Sequence, residues 1–268
     1  RSSISSYLNS PIFISSLVFI FGLCFGSFAN VCIYRLPKNK QVLTDRSFCP
    51  KCKKKIKWFD NIPLVSFLFL NGKCRSCKKK IPLQYFIIEF LAGLGFLFIF
   101  LSFDNYYSII LLMALFLIYL MILFIDLKHF IIPDILNYGI IVLAIIKNFL
   151  PNLDLIFTQD IMLSLAGGIV GYLSIWLIIY LYKQIRKKEG MGLGDAKLMA
   201  GIGFLFGWQS IPLVLFIASL LALFVAMPSL MKKKKGLKSK IPFAPYLITA
   251  GLVYFLYGNI IYKIVLAI

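Results

Sequence analysis

The sequence is short of charged residues. Only 15% of its 268 residues are charged, whereas a soluble domain carries about a quarter. Hydrophobic residues make up 60% of the chain, and several apolar runs approach or exceed the ~20 residues that cross a bilayer as a helix. The composition therefore excludes an ordinary soluble domain and predicts a polytopic membrane protein.

Polar and apolar residues also fail to alternate in these runs. The stretch "IILLMALFLIYLMILF" is apolar at nearly every position, whereas a transmembrane barrel strand alternates between a lipid face and a lumen face. A spanning segment that is not part of a barrel satisfies its backbone hydrogen bonds as a helix. We therefore expect an all-α transmembrane bundle.

The chain contains one histidine, and its serines have no His or Lys base at a matching position. Nucleophilic serine chemistry needs such a base, so the sequence argues against a serine hydrolase. Acidic residues are few as well, with 10 Asp and Glu against 29 Lys and Arg. Each acid near a membrane segment is then a candidate functional residue.

Hydropathy predicts about eight spans. They cover residues 10–33, 84–103, 107–125, 131–150, 160–182, 198–209, 211–230 and 243–264. The one sizeable polar insertion is 34–83. We therefore predict a first span in 1–33, a small cytoplasmic module in 34–83 and a transmembrane catalytic core in 84–268.

The basic residues predict the orientation. With the N-terminus outside, the connections 34–83, 126–130, 183–197 and 231–242 hold 26 of the 29 Lys and Arg, and the outside connections "DNYY" and "PNLDLIFTQ" hold none. Basic residues collect in cytoplasmic loops, so these four connections are predicted to be cytoplasmic. The same asymmetry accounts for the net charge of +19 without a nucleic-acid partner.

Four cysteines lie in the polar insertion, Cys49, Cys52, Cys74 and Cys77, as two C-x2-C pairs separated by 21 residues. Two such pairs match tetrahedral thiolate ligation of Zn²⁺. The alternative is a pair of disulfides, but thiols stay reduced in the cytoplasm. A module of this size also needs a staple to hold its shape, so we predict a structural zinc site.

Two acids border apolar runs at a comparable depth. Asp126 ends the run "LIYLMILFID", and Asp195 precedes "AKLMAGIGFLFG". In the predicted topology both lie at the cytoplasmic edge, where they can face one another across the bundle. Two close carboxylates share one proton, since both cannot ionise cheaply. The ionised one takes a proton from water while the protonated one donates to a scissile carbonyl, as in an aspartic protease.

Three glycines precede Asp195 in "EGMGLGDAKLM". We expect Gly190, Gly192 and Gly194 to adopt positive φ angles and to let a substrate chain approach closely. The alternative is an interhelical turn with a capping Asp.

Two further acids compete for a functional role. Asp134 follows Pro133 at a helix start, where an acid caps naturally, so we expect it to be structural. Glu89 lies within a predicted span, and we expect it either to pair with a loop lysine or to contact a substrate.

Several motifs resemble those of the prepilin peptidases, or type IV leader peptidases, a family of GxGD-type intramembrane aspartic proteases. They are "FGLCFGSFANVCIYRLP", the tetracysteine loop with "NIP" and "GKC", "FIDLKHFIIPDIL" and "GMGLGDAKLMAGIG", in that order over nearly the whole chain. Ala29 stands in "GSFANV" where the family more often has Leu.

The resemblance implies a bacterial inner-membrane endopeptidase that cleaves the basic leader of type IV prepilins and pilin-like proteins at the cytoplasmic face. Asp126 and Asp195 match its two catalytic acids. The resemblance also implies N-methylation of the new N-terminus with S-adenosylmethionine, an activity associated with the cysteine loop. The chain has no glycine fingerprint for that cofactor. A cation transporter and a membrane thiol–disulfide oxidoreductase are the alternatives to this interpretation.

Overall fold

The computed structural model describes residues 11–42, 47–151, 153, 157–158, 160–187, 190–231 and 242–266. Regular secondary structure in this part of the chain is helical, apart from two isolated antiparallel bridges, Phe48–Lys55 and Lys73–Lys80. The α-helices are α1 (Pro11–Arg35), α2 (Val65–Phe69), α3 (Leu83–Ser102), α4 (Tyr106–His129), α5 (Asp134–Ile146), α6 (Ile161–Arg186), α7 (Leu193–Phe206), α8 (Ser210–Met231) and α9 (Ala244–Leu266). The predicted all-α class is confirmed.

Five of the described helices are long and apolar enough to cross a membrane. They are α1, α3, α4, α6 and α8. Helices α5 and α7 have only 13 and 14 residues, about 20 Å of helix against a hydrocarbon core of ~30 Å. The predicted count of about eight spans is therefore not confirmed. The predicted domain boundaries and orientation stay predictions, and residues 1–10 and 232–241 lie outside the described part.

The chain divides into two compact units, Arg1–Met121 and Ile122–Ile268. In the first unit, α1 packs against α3 at Gly22 and Gly26. A Cβ atom on Gly22 would lie 2.7 Å from the carbonyl oxygen of Ala92, and one on Gly26 would lie 2.7 Å from the Cα of Glu89. Glycines four residues apart let membrane helices approach to backbone contact. This crossing brings the middle of α3 against α1.

In the second unit, α6 crosses α7 in the same way. Gly167 of α6 meets Gly203 of α7 so closely that a Cβ on either would overlap the other's carbonyl oxygen, and Gly171 meets Met199. Helix α7 also contacts α5, α8 and α9, and ten of its 14 residues are buried. It is therefore a core helix of this unit, and its first turn carries Asp195.

A buried lysine ends the α5 segment. Lys147 follows Ile146 and has no exposed surface. Its ammonium donates to the carbonyl oxygen of Thr158, to Asn148 Oδ1 at 3.2 Å and to Ser164 Oγ at 3.0 Å. A buried ammonium needs such partners because burying it without them is costly. Lys147 thus ties the end of α5 to the start of α6, and the sequence analysis did not find it.

Candidate functional site

Asp126 lies in the last turn of α4, within the second unit, and is 5% exposed. Its Oδ2 accepts a hydrogen bond from the backbone N–H of Ala244 at 3.1 Å. Ala244 is the first residue of α9, and a helix N-terminus stabilises a nearby negative charge. The end of one helix therefore supplies the carboxylate and the start of another stabilises its ionised form.

Asp195 lies in the first turn of α7 and is 9% exposed. The segment before Asp195 turns tightly, and the Asp195 N–H donates to the carbonyl oxygen of Gly192 at 3.2 Å. The Gly192 N–H is also a partner of the Asp195 carboxylate. Helix α7 is not among the five candidate spans. Burial, and then the charge of Asp126, raises the pKa of the Asp195 carboxyl above its ordinary value.

The structure therefore brings together the two acids that the sequence singled out, although 69 positions separate them. They interact electrostatically, both are buried, and only Asp126 accepts the N–H of Ala244. Two buried carboxyls that repel one another disfavour the state in which both are ionised. The pair can supply one acid and one base to a substrate placed between them.

Helix α5 holds the start of α7 through three successive contacts. The carboxylate of Asp134 bonds Lys197 Nζ at 2.7 Å, and Asn137 Nδ2 donates to the carbonyl oxygen of Gly194 at 3.3 Å. One turn further, Ile140 lies against Gly201, where a Cβ would come within 2.7 Å. Residues three apart share one face of a helix. Asp134 thus begins α5, as expected, but its side chain pairs with Lys197.

Asn137 is the site residue that the sequence analysis missed. It has no exposed surface, and its Oδ1 is buried with no hydrogen-bond partner among the described residues. Buried polar atoms are nearly always bonded. The available signal was an amide in the apolar stretch "DILNYGIIV" of α5, three residues after Asp134. Its contact with the peptide before Asp195 was not visible in the sequence.

The expectation of positive φ at the glycines before Asp195 is wrong. None of Gly190, Gly192 and Gly194 has a φ in the left-handed range, and Gly192 has φ −86°. Close contacts disfavour larger residues here: a Cβ on Gly194 would lie 3.1 Å from Ile132, and one on Gly190 would lie 2.7 Å from the Tyr182 ring. Space around Gly192 is open.

The first unit contains the four cysteines as one cluster. Their sulfurs all lie within 4.8 Å of one another, and Cys49 Sγ is 3.9 Å from Cys77 Sγ. None of the four is in a disulfide. Tetrahedral zinc with Zn–S bonds of ~2.3 Å places its sulfurs ~3.8 Å apart. The donor set and its spacing therefore fit a Zn²⁺ ion.

Both cysteine pairs adopt the same turn. The N–H of Cys49 bonds the Lys54 carbonyl at 3.0 Å, and that of Cys74 bonds the Lys79 carbonyl at 2.9 Å. Lys53 and Lys78 follow the second cysteine of each pair with φ of 59° and 57°. Backbone N–H groups of Cys77 and Ser76 lower the pKa of the Cys74 thiol to about 7, which favours the thiolate that a metal needs. The two turns form a repeated ligand-bearing unit.

Glu89 of α3 lies half-buried in the first unit. Its Oε2 accepts the backbone N–H of Leu64 at 2.9 Å, and the Ser27 side chain is a second hydrogen-bond partner. In the described part of the chain, Glu89 has no lysine partner. The expected pairing with a loop lysine is thus not found, and a role toward a substrate stays a prediction.

Two family models match the chain. The bacterial peptidase A24 N-terminal domain matches residues 20–103, and the type IV leader peptidase family matches residues 111–227. No solved structure matches the chain.

Curated proteins named prepilin leader peptidase/N-methyltransferase are similar over most of their length. The Legionella pneumophila and Pseudomonas aeruginosa proteins are each 33% identical over 94% of this chain and 94% of their own. The Vibrio cholerae protein is 39% identical over 76% of this chain and 81% of its own. With matches that cover nearly the whole chain and a buried acid pair in the matched region, this protein belongs to the type IV leader peptidase family.

Proposed function

We propose that the protein is a prepilin leader peptidase and N-methyltransferase, in which Asp126 and Asp195 are the catalytic pair. The observation that carries the proposal is the pair itself: two buried carboxyls from distant parts of the sequence interact within one unit. Relatives with this printed activity match over more than nine tenths of the chain. Neither acid has a cationic partner in the described part of the chain, and burial of a carboxylate without one is costly.

The surroundings of the two acids favour different protonation states. Asp126 receives the Ala244 N–H at the start of α9, which favours its carboxylate. Asp195 accepts the Gly192 N–H, but burial and in addition the charge of Asp126 raise its pKa, so we assign the proton to Asp195. Asp126 then takes a proton from water while the water oxygen attacks the scissile carbonyl carbon. Asp195 donates its proton to the carbonyl oxygen, which gives a diol. When the diol collapses, one hydroxyl proton returns to Asp195, and Asp126 gives the proton it took from water to the leaving amine.

The cysteine cluster is assigned a structural zinc ion. Cys49, Cys52, Cys74 and Cys77 would hold it, and zinc bound by four thiolates has no open position for a substrate. The ion would fix the fold of the module between α1 and α3. For the second activity, S-adenosylmethionine supplies the methyl group that is added to the new N-terminal amine.

The substrates are prepilins and pilin-like proteins, and the protein lies in the bacterial cytoplasmic membrane. The predicted orientation has the N-terminus outside and the acid pair at the cytoplasmic face. The distribution of Lys and Arg supports it. Neither alternative function gains support: the matched family is a peptidase family, and the four cysteines form one cluster instead of separate dithiols.

The test is cleavage of a synthetic prepilin by the purified full-length protein in detergent, followed by mass spectrometry. Asp126→Asn and Asp195→Asn each keep the side-chain shape but remove the shared proton. Each variant should lose cleavage by at least 10³-fold, and the double variant should lose little more, because residues that act as one unit are not additive. Zinc content and thermal unfolding report whether the variants fold.

Asp134→Asn is the matched control. It removes a carboxylate from the same region, but Asp134 is 55% exposed as a side chain and forms a surface ion pair, which is worth about 0–1 kcal/mol. Most of the cleavage activity should therefore remain. Near-normal turnover by folded Asp195→Asn would remove the proposed mechanism.

A further inference from the structure

An apolar segment interrupts the basic part of the cysteine module. Residues 58–72 read "WFDNIPLVSFLFLNG" and contain one charged residue, Asp60. Five Lys and Arg precede this apolar segment in 51–57, and five follow it in 73–80. Asp60 presents no free charge, because its carboxylate pairs with Arg75 at 2.6 Å and its side chain is mostly buried. Two strongly basic turns therefore flank a segment that carries almost no charge.

Helix α2, within this apolar segment, has one face that is covered and one that is not. Val65, Leu68 and Phe69 are exposed, Phe69 by 84%, and they share a face because residues three and four apart are neighbours on a helix. Phe67 packs in the other direction, with its ring 5.3 Å from that of Phe86 in α3. Contiguous exposed apolar side chains mark a protein or membrane contact. The face of Val65, Leu68 and Phe69 is therefore an interaction surface.

The contacts of α2 place it beside the first two turns of α3, a candidate membrane span. Phe67 contacts Phe86, and the backbone N–H of Leu64 donates to Glu89 Oε2 at 2.9 Å. Glu89 is six residues after Leu83, the first residue of α3, which is ~9 Å along a helix. All 20 residues of α3 are needed to cross a hydrocarbon core of ~30 Å. Helix α2 therefore lies at the depth of the lipid.

The exposed apolar surface of α3 begins at the same level. Leu83, Ile87 and Phe90 are all exposed, and such side chains on a spanning helix face lipid. The lysines of 78–80 come just before Leu83, and lysines near the end of a span extend to the interface. The lipid-facing surface of α3 thus starts at its first residue, nearer to the cysteine turns than the residues that α2 contacts.

The polar groups around α2 are bonded as contact with lipid requires. Irregular backbone at membrane depth must satisfy its N–H groups within the protein. The Ser66 N–H bonds the Ile62 carbonyl at 3.1 Å, and the Ser66 hydroxyl donates to the same carbonyl. The Leu68 N–H bonds the Leu64 carbonyl at 3.0 Å. Glu89 accepts the Leu64 N–H, a bond that water would replace if this turn were in the cytoplasm.

Charge decides which partner fits this surface. Ten Lys and Arg in 51–57 and 73–80 flank it, and like charges brought together at an interface are unfavourable. A second copy of the chain would bring the same cations together, and the leader of the proposed substrate is basic as well. Phospholipid headgroups carry phosphates, which bind Lys and Arg strongly. The membrane's own leaflet therefore matches both the apolar face and the charge around it.

We propose that the apolar segment is seated in the membrane interface instead of in the cytoplasm. The face of Val65, Leu68 and Phe69 lies at the boundary between headgroups and acyl chains, and the flanking Lys and Arg reach the phosphates. Trp58 is 81% exposed and lies in the turn that contacts α2; tryptophan favours this boundary. Interfacial helices bury their apolar face about 5–10 Å deep, which agrees with the level of Glu89 on α3. The cysteine cluster is thereby held at the membrane surface.

The test measures the environment of Trp58 in the full-length protein, reconstituted in phosphatidylcholine vesicles. Trp176→Phe and Trp208→Phe leave Trp58 as the one tryptophan of the chain. A lipid brominated on its acyl chain near the headgroup quenches a tryptophan that contacts it, whereas iodide quenches one in water. The bromolipid should lower the Trp58 fluorescence at least twofold, and iodide should lower it by less than a tenth. Strong iodide quenching without bromolipid quenching, in protein with full zinc content, would overturn the proposal.

Lys51→Trp combined with Trp58→Phe, in the same background, is the matched control. Lys51 is exposed in the first cysteine turn and lies outside the apolar segment. The introduced tryptophan should therefore respond to iodide and not to the bromolipid, and zinc content reports whether the module folds. Equal bromolipid quenching at the two positions would show that lipid contact is not a property of the apolar segment.

A second measurement needs no variant. A phospholipid with a carbene-generating group on its acyl chain is photolysed in vesicles that contain the wild-type protein, and the labelled peptides are mapped. Label should appear within 58–72 as well as in the candidate spans, while peptides within 47–57 and 73–81 stay unlabelled. Labelled spans with an unlabelled apolar segment would contradict the proposal. Label that is lost at high protein density, or on addition of a prepilin, would assign the face to a second copy or to the substrate instead.

Discussion

Replacement of Asn137 by leucine separates the role of this residue in the site from its role in the fold. The change keeps the side chain at nearly the same volume and removes both polar atoms. Nδ2 loses its bond to the Gly194 carbonyl, which is long at 3.3 Å, and the unpartnered Oδ1 disappears. Gly194 lies in the first turn of α7, so its carbonyl can still accept an N–H from the next turn of the helix.

The expected stability change is small and has a defined sign. The lost hydrogen bond contributes about 0.5–1.5 kcal/mol, whereas a buried unsatisfied acceptor costs about 1–3 kcal/mol. Asn137→Leu should therefore unfold at the wild-type temperature or slightly above it. Activity should respond differently, because the bond fixes the peptide before Asp195. Misplacement of a catalytic group by ~1 Å can cost about 100-fold in rate, so we expect a 10- to 100-fold loss of kcat.

The assay is steady-state cleavage of a prepilin, with thermal unfolding of the same samples. The loss should fall on kcat with KM nearly unchanged, since Asn137 positions a catalytic group. Asp134→Asn, which removes the exposed contact one turn earlier on the same face of α5, should change both quantities less than threefold. Wild-type kcat in Asn137→Leu would refute the reasoning. A fall in unfolding temperature that parallels the rate loss would assign the residue to packing alone.

Three other changes test the framework of the two units. Cys74→Ser should abolish bound zinc in metal analysis and make residues 47–81 sensitive to protease, because zinc binding contributes to folding; full zinc content would contradict the site. Gly203→Ala should destabilise the second unit by about 1–3 kcal/mol in thermal unfolding, since its methyl group overlaps the Gly167 carbonyl; unchanged stability would contradict the helix crossing. Lys147→Met should cost about 1–3 kcal/mol, because it removes the donor for one buried and two part-buried acceptors. A gain in stability would show that burial of the charge outweighs those bonds.

The sequence pointed to the cysteine cluster and to the two acids because a short local pattern marks each of them. Two C-x2-C pairs are enough to predict a tetrahedral sulfur site, since each pair brings two ligands together locally. Asp126 and Asp195 stood out because acids at the edge of apolar runs are rare. Helical structure followed from the apolar runs and the absence of alternation.

What the sequence did not predict depends on contacts between distant segments. Spans are predicted at α5 and α7 from their apolar residues, but apolar residues face other helices as readily as lipid, so composition alone does not establish these two spans. Gly194 was expected to need a positive φ, whereas the contact with Ile132 explains it. In the sequence, Asn137 is one amide in an apolar stretch, and only the structure shows that it bonds Gly194 in the first turn of α7.

The segment from Asp126 to Asn137 connects the two acids structurally. Asp126 ends α4, and Phe130 returns its N–H to the Asp126 carbonyl at 2.9 Å with φ 56°, which turns the chain toward α5. Ile132 then contacts Gly194, and Asn137 bonds the carbonyl of the same glycine. The twelve residues 126–137 therefore carry one carboxyl and hold the backbone next to the other. Because this one segment carries Asp126 and contacts the backbone next to Asp195, substitutions at Ile132 or Asn137 should shift the pH dependence of prepilin cleavage more than substitutions in α7 away from Asp195.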